Sequence, residues 1–234
     1  MKILGFDSSG MVASVAVICD DILVAEYSVN YKKTHSQTLL PMFDEVVRMT
    51  ELDLDTVDAI AVAAGPGSFT GLRIGMSTVK GLGLALDKPV IAVPTCDALA
   101  YNMWGTDKLI CPILDARRNQ VYTALYEFYN DTLIKIREQD AMDINDIMGI
   151  INELGRDVIF VGDGVPVFKD TIQKTASVNV LYAPAHLNRQ RAGAVASLGM
   201  IYLREGKEET ADDVKPIYLR KSQAEREREE KNGR

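Results

Sequence analysis

Two short acidic turns are the first places where this chain could do chemistry. Asp7 closes the apolar run KILGFD and is followed by Ser8 and Ser9, and Asp115 closes LICPILD and is followed by Arg117 and Arg118. A carboxylate at the end of a strand can hold Mg or orient a water. In a tight turn it can equally be satisfied by backbone amides two residues on. The third place is GPGSFTG (65–71), where an apolar run ends, the chain turns through Pro66 and Gly67, and Ser68 or Thr70 caps a helix. Free amides at such a helix start attract anions. The segment is neither of the two familiar glycine motifs. No Lys-Ser or Lys-Thr follows a glycine, as GxxxxGK[ST] demands, and Gly65, Gly67 and Gly71 are spaced GxGxxxG. Asp7, Ser8, Gly67, Ser68, Thr70 and Asp115 therefore form a generic candidate phosphate site. Arg117 and Arg118 either meet a phosphate or an RNA backbone there, or form surface salt bridges.

Other chemistries find little support. The only histidines, His35 and His186, lie far apart and carry no ligand spacing, so no metal site is proposed. Ser8, Ser9 and Ser68 have no histidine base in any motif, which argues against a Ser-His-Asp device. Cys19, Cys96 and Cys111 form neither a disulfide framework nor a zinc pattern, and Cys19 and Cys111, in apolar runs, read as buried. The net charge of -7 argues against independent nucleic-acid binding. MKILGFDSS reaches a charge too early for a signal peptide, and no apolar run approaches the roughly 18 residues of a membrane span. A cytoplasmic protein is expected.

These residues need elements to hold them, and the element pattern repeats. KILGFDSS, ASVAVIC (13–19) and ILVAEYSV (22–29) read as an antiparallel meander. A helix over 36–50 follows, with Leu39, Phe43 and Val46 on one face and Pro41 in its first turn behind Thr38 or Ser36. Then come strand 58–65, helix 68–86, strand 89–95 and helix 95–104. From residue 109 the order begins again: strands 109–117, 120–128 and 132–141, helix 143–155, strand 158–164, helix 166–175, strand 179–184 and helix 188–207. Two βββαβαβα units imply an α/β protein with two mixed five-stranded sheets flanked by helices. The expected division is 1–105, 106–207 and a segment 208–234 ending in a charged tail that reads as disordered. Facing units would form a cleft lined by the Asp-bearing turns, which is the arrangement of the duplicated actin-like ATPase (ribonuclease H-like) fold.

The helix at 68–86 contains Gly71, Gly75, Gly81 and Gly83, each costing about 1 kcal/mol relative to Ala. Gly71 and Gly75, one turn apart beside Leu72, Met76 and Val79, form a flat strip. It faces either this unit's own sheet or a partner protein.

FDSS…ASVAV, THSQTLLPMFDEVV, AAGPGSFTGLRIGMSTVKGLGLA, VPTCDALA, LDARRNQVYTALY, VGDG and PIYLRKS together resemble the TsaB (YeaZ) family of bacterial tRNA threonylcarbamoyladenosine biosynthesis proteins. The likeness spans residues 2 to about 221. It implies a non-catalytic accessory subunit of the threonylcarbamoyl-transfer machinery. Such a subunit pairs with the catalytic TsaD, or with itself when alone, through helices 36–50 and 68–86. The interface would then include Leu39, Phe43, Val46, Gly71, Leu72, Gly75, Met76 and Val79, and the glycine strip would admit the partner's helix. The ATPase TsaE would dock on the pair, and tRNA would be met through the complex. The subunit would require no cofactor, with at most weak, vestigial ATP or ADP binding. Members usually read Asp-Thr-Ser where this chain has Asp7-Ser8-Ser9, a change that keeps both hydroxyls. The alternative is a small independent ATPase or kinase using Asp7, Asp115 and the Gly65–Thr70 turn.

Overall fold

Apolar residues follow one another without alternation in β1 (Lys2–Asp7), β2 (Val12–Cys19) and β4 (Ala59–Gly65), a pattern that demands cover on both faces of a sheet. The computed structural model, which describes residues 1–31 and 34–220, supplies it. With β3 (Ile22–Asn30) and β5 (Val90–Pro94) these strands form a sheet of order β3-β2-β1-β4-β5, antiparallel across the meander and parallel from β1 onward. The second half repeats the plan. β6 (Leu109–Asp115), β7 (Gln120–Tyr129), β8 (Thr132–Asp143), β9 (Val158–Val161) and β10 (Val180–Tyr182) order as β10-β9-β6-β7-β8.

Helices α1 (His35–Thr50) and α2 (Phe69–Leu86) cover the outer face of the first sheet; α4 (Ile144–Leu154) and α5 (Val165–Thr175) cover that of the second. Between the sheets lie α3 (Thr95–Tyr101) and α6 (Ala192–Arg204), each closing its own half in sequence but packed across the divide. Cys96, Leu99 and Ala100 of α3 join Ile110, Leu114 and Tyr126 of the second sheet. α6 lies on the first sheet, and its composition, AGAVASLGMIYLR, follows from how closely it approaches. A Cβ on Gly5 would strike the Ala192 carbonyl, and one on Gly199 would strike Ala61. The first turn of α6 is held by the same sheet. Ser14 Oγ accepts from Ala192 N at 3.0 Å, Glu26 Oε1 accepts from Gly193 N at 2.9 Å, and Glu26 also pairs with Arg191. An acidic side chain at a helix start is favoured by the helix dipole.

One buried charge ties this inner layer together. Asp97 of α3 is only 5% exposed, and accepts the hydroxyls of Tyr126 at 2.6 Å and Tyr202 at 2.9 Å while Lys135 Nζ stands 3.3 Å away. Four elements from both halves meet on this carboxylate.

Two local expectations need correction. α1 starts after Thr34, not after Ser36 or Thr38, so Pro41 falls in the second turn. His35 anchors this earlier start by donating Nε2–H to the Gly10 carbonyl at 2.8 Å. Residues 188–191 are not helical, because tertiary hydrogen bonds described below pull them into the cleft. After α6, residues 208–220 return to the first half: Glu209 and Val90 exchange backbone hydrogen bonds, Ala211 and Val214 enter its core, and Ile217 N bonds to Ala64 O at 2.7 Å. The charged tail from residue 221 lies outside the described residues.

Candidate functional site

Asp7, at the end of β1, is fully buried. Its Oδ1 accepts from Ser9 N at 2.8 Å and Ser9 Oγ at 2.7 Å, whereas Oδ2 has no partner of good geometry. Burial pushes its pKa up to about 6, the Ser9 hydrogen bonds oppose that rise, and the nearby Asp163 carboxylate adds to it. The turn that follows is clamped to α2. Ser8 Oγ donates to Gly71 O at 2.9 Å, and Ser68 N donates to Ser9 O at 2.7 Å. Ser68 caps α2 by accepting from Gly71 N at 3.2 Å.

The glycine strip belongs to this clamp. A Cβ on Gly67 would collide with Ser9 O, one on Gly71 with Ser8 O, and one on Gly75 with Ser8 Oγ. Gly71 and Gly75 are buried against the protein's own β1–β2 turn, which corrects the reading that the strip admits a partner's helix. Gly81 differs from these: it is exposed, and a Cβ there would meet nothing within 4 Å. The apolar stripes follow the strip. Leu39, Phe43 and Val46 of α1 and Leu72, Met76 and Val79 of α2 lie in the core of the first half, where Phe43 packs on Phe6 with ring centroids 5.7 Å apart. An amphipathic stripe marks the face a helix buries in its own fold. The outward faces carry Leu40, Pro41 and Met49 on α1, and Arg73, Ser77, Gly81 and Leu84 on α2.

Across the cleft, Asp115 Oδ1 accepts from Arg117 N at 2.8 Å, and Oδ2 stands 3.4 Å from Arg117 Nη1. Asp163, in the β9–α5 turn, is the carboxylate whose field reaches Asp7. It accepts from Asp115 N at 3.2 Å and sits in a glycine frame, since a Cβ on Gly162 (φ +118°) would strike Ile113 O. Burial raises its pKa, against the pull of that amide and of Arg189. Residues 188–191 stitch the frame in place: Asn188 Oδ1 accepts from Gly162 N at 2.9 Å and Arg189 donates to Gly162 O at 3.1 Å. Gln190, 2% exposed, lays its amide against Gly10 beside Asp163, with neither Oε1 nor Nε2 in a hydrogen bond of good geometry.

Asp7, Ser8, Gly67 and Ser68 are thus brought together, while Asp115 belongs to the opposite lip and Thr70 is exposed on α2. Gln190 was hidden from sequence reasoning inside an apparent helix; the absence of an apolar residue from Asn188 to Arg191 was its only signal. His35 is engaged with Gly10, and His186 lies in an exposed loop. Among the described residues no three His, Cys, Asp or Glu side chains are placed to share a metal ion.

At the cleft mouth, Arg117, Arg118 and Asn119 all adopt left-handed backbone, φ 65°, 55° and 59°. Such conformations cost roughly 1–2 kcal/mol per non-glycine residue. On the opposite lip Phe69 and Tyr218 stack at 4.4 Å, with the Arg73 guanidinium 5.7 Å and 5.9 Å from the two ring centres.

Two facing βββαβαβα halves, with acidic turns converging between them, define the actin-like ATPase fold. A hexokinase of the ROK class from Thermus thermophilus shares it at a TM-score of 0.50 and 11% identity, over 88% of this chain and all of that one. Similar in more detail is YeaZ from Pseudomonas aeruginosa, with a TM-score of 0.80 and 25% identity over 93% of this chain and 99% of that chain. The family profile described as "TsaD: tRNA N6-adenosine threonylcarbamoyltransferase" matches residues 23–228. The tRNA threonylcarbamoyladenosine biosynthesis protein TsaB of Bacillus subtilis is 34% identical over 228 residues, 96% of each chain, and that of Escherichia coli 28% over 231 residues, again 96% of each. The chain belongs to the TsaB family.

Proposed function

We propose that this chain is a non-catalytic accessory subunit in the formation of N6-threonylcarbamoyladenosine beside the anticodon of tRNAs that read codons starting with A. In this reading it binds and activates the catalytic subunit TsaD, together with the ATPase TsaE. The observation that carries the reading is the closed state of the cleft. Asp7, Ser8, Ser9 and Gln190 are all buried, and the first turn of α2 is occupied by the protein's own serines. A reactive phosphate or carbamoyl group would find its place already filled by the chain, so the protein requires no cofactor and retains at most weak ATP or ADP affinity. Partner binding falls to the outward face of α1 and to that of the C-terminal half of α2, away from Arg73, where Met49 is 67% and Leu84 61% exposed. Exposed apolar groups on adjacent helices suit a protein interface, taken by TsaD or, in its absence, by a second copy.

The test is threonylcarbamoyl transfer to tRNA in a mixture of adenylate-forming synthase, TsaD and TsaE, with and without this protein. Product only in its presence, and none from the protein alone, is the expected result; turnover unchanged by its omission overturns the proposal. Met49→Glu with Leu84→Glu is expected to abolish co-elution with TsaD while leaving the melting temperature of the isolated chain within about 2 °C, since exposed substitutions change stability little.

A further inference from the structure

We infer that the mouth of the cleft is a docking surface for an RNA phosphodiester backbone, an inference that rests on the accessory-subunit reading above. Its chemistry is concentrated on two lips. On the second-half lip the β6–β7 turn presents Arg117, 87% exposed, and Arg118, which makes no hydrogen bond or ion pair among the described residues. On the first-half lip Phe69 and Tyr218 stack in parallel, and the Arg73 guanidinium flanks both rings, donating Nε–H to the Tyr218 hydroxyl at 3.1 Å. The C-terminal segment joins the lips. Two residues after Tyr218, Arg220 donates Nη1–H to the Ala116 carbonyl at 3.3 Å, so a third arginine sits beside the β6–β7 turn.

This combination is selective for nucleic acid. Arginine forks match phosphate oxygens in pairs, and an aromatic pair flanked by a guanidinium suits an unpaired base next to its phosphate. The chain as a whole carries -7, so no general field draws RNA to it, and a cluster of arginines here stands against that background. Among the described residues the acidic groups of the two turns are already committed: Asp115 to Arg117 and its amide, and Asp163 to the interior. Such a surface is too small to hold RNA alone, and serves as one contact in a larger assembly whose other subunit supplies the rest.

The experiment uses the full-length chain assembled with TsaD and a fluorescently labelled, unmodified tRNA transcript, with anisotropy recorded across salt concentrations. Arg117→Gln with Arg118→Gln is expected to weaken binding on the order of tenfold and to lower the salt slope by about 1 to 2, one for each phosphate contact removed. Size-exclusion of the same preparations is expected to show unchanged pairing with TsaD, because neither arginine lies on α1 or α2. A control removing equal charge from α5, Lys169→Gln with Lys174→Gln, is expected to bind as wild type. Unchanged affinity in the arginine variant overturns the inference, as does an equal loss in the control. Loss of Mg-ATP binding by calorimetry with RNA affinity intact also overturns it, by assigning the arginines to a nucleotide phosphate. Failure of the wild-type chain to pair with TsaD is a different result, and removes the accessory-subunit reading itself.

Discussion

Asp7 holds an uncomfortable position for a carboxylate: buried, hydrogen-bonded through one oxygen only, and within the field of Asp163. Its folded-state pKa of about 6 lies above the ordinary aspartate value of 3.8. Between those values the folded protein retains a proton that the unfolded chain has released. This group therefore favours folding most below about pH 4, and that contribution is lost as pH rises through about 6. The difference corresponds to at most about 3 kcal/mol. Asp7→Asn, which mimics the protonated form and keeps an acceptor for Ser9, is expected to melt higher than wild type at pH 7, with the gap closing at pH 4.5. A gap that is the same at both pH values would mean that Asp7 is not the titrating group.

At the scale of elements, α2 separates two kinds of glycine that look alike in sequence. Gly71 is packed on the Ser8 carbonyl, whereas Gly81 faces open space. Gly81→Ala is expected to stabilise the protein by about 1 kcal/mol through helix propensity. Gly71→Ala is expected to destabilise it by several times that, because the β1–β2 turn and α2 must move apart. Urea unfolding of the two variants measures both; equal effects would dissolve the distinction. The same pair shows where sequence reading stops. Close approach to a chain's own turn and close approach to a partner leave one signature, a small residue every fourth position, and only the fold says which occurs. The elements themselves were readable where local chemistry marks them. Ser68 caps α2, Asp143 opens α4 by accepting from Asn145 N, and Gly155 closes it in left-handed backbone. The start of α1 and the course of residues 188–191 were not, because a histidine bond to Gly10 in one case, and contacts to Gly162 and Gly10 in the other, act over distances in sequence that no local pattern records. The candidate site was legible as Asp7, Ser8, Gly67 and Ser68. Its opposite wall was assigned to Asp115, although Asp163 is the carboxylate that reaches Asp7.

For the whole molecule, the Asp97 cluster carries more than any single core contact. Removing the carboxylate leaves the buried Tyr126 hydroxyl and the half-buried Tyr202 hydroxyl without their acceptor and deprives Lys135 of its buried partner. Asp97→Ala is expected to cost about 3–5 kcal/mol, and Asp97→Asn less, by equilibrium denaturation. A loss below about 1 kcal/mol would mean that the cluster is not buried in solution as it is here. The placement of α3 and α6 has a further consequence. A chain drawn twice to one plan invites separation into two modules, each surviving the loss of the other. Here each module lends its last helix to the space between, and residues 208–220 carry the end of the second back into the core of the first. Neither module owns its full lining, so severing the chain between them would strip both. The repeated plan has lost the independence of its copies, and the whole is expected to melt in a single transition.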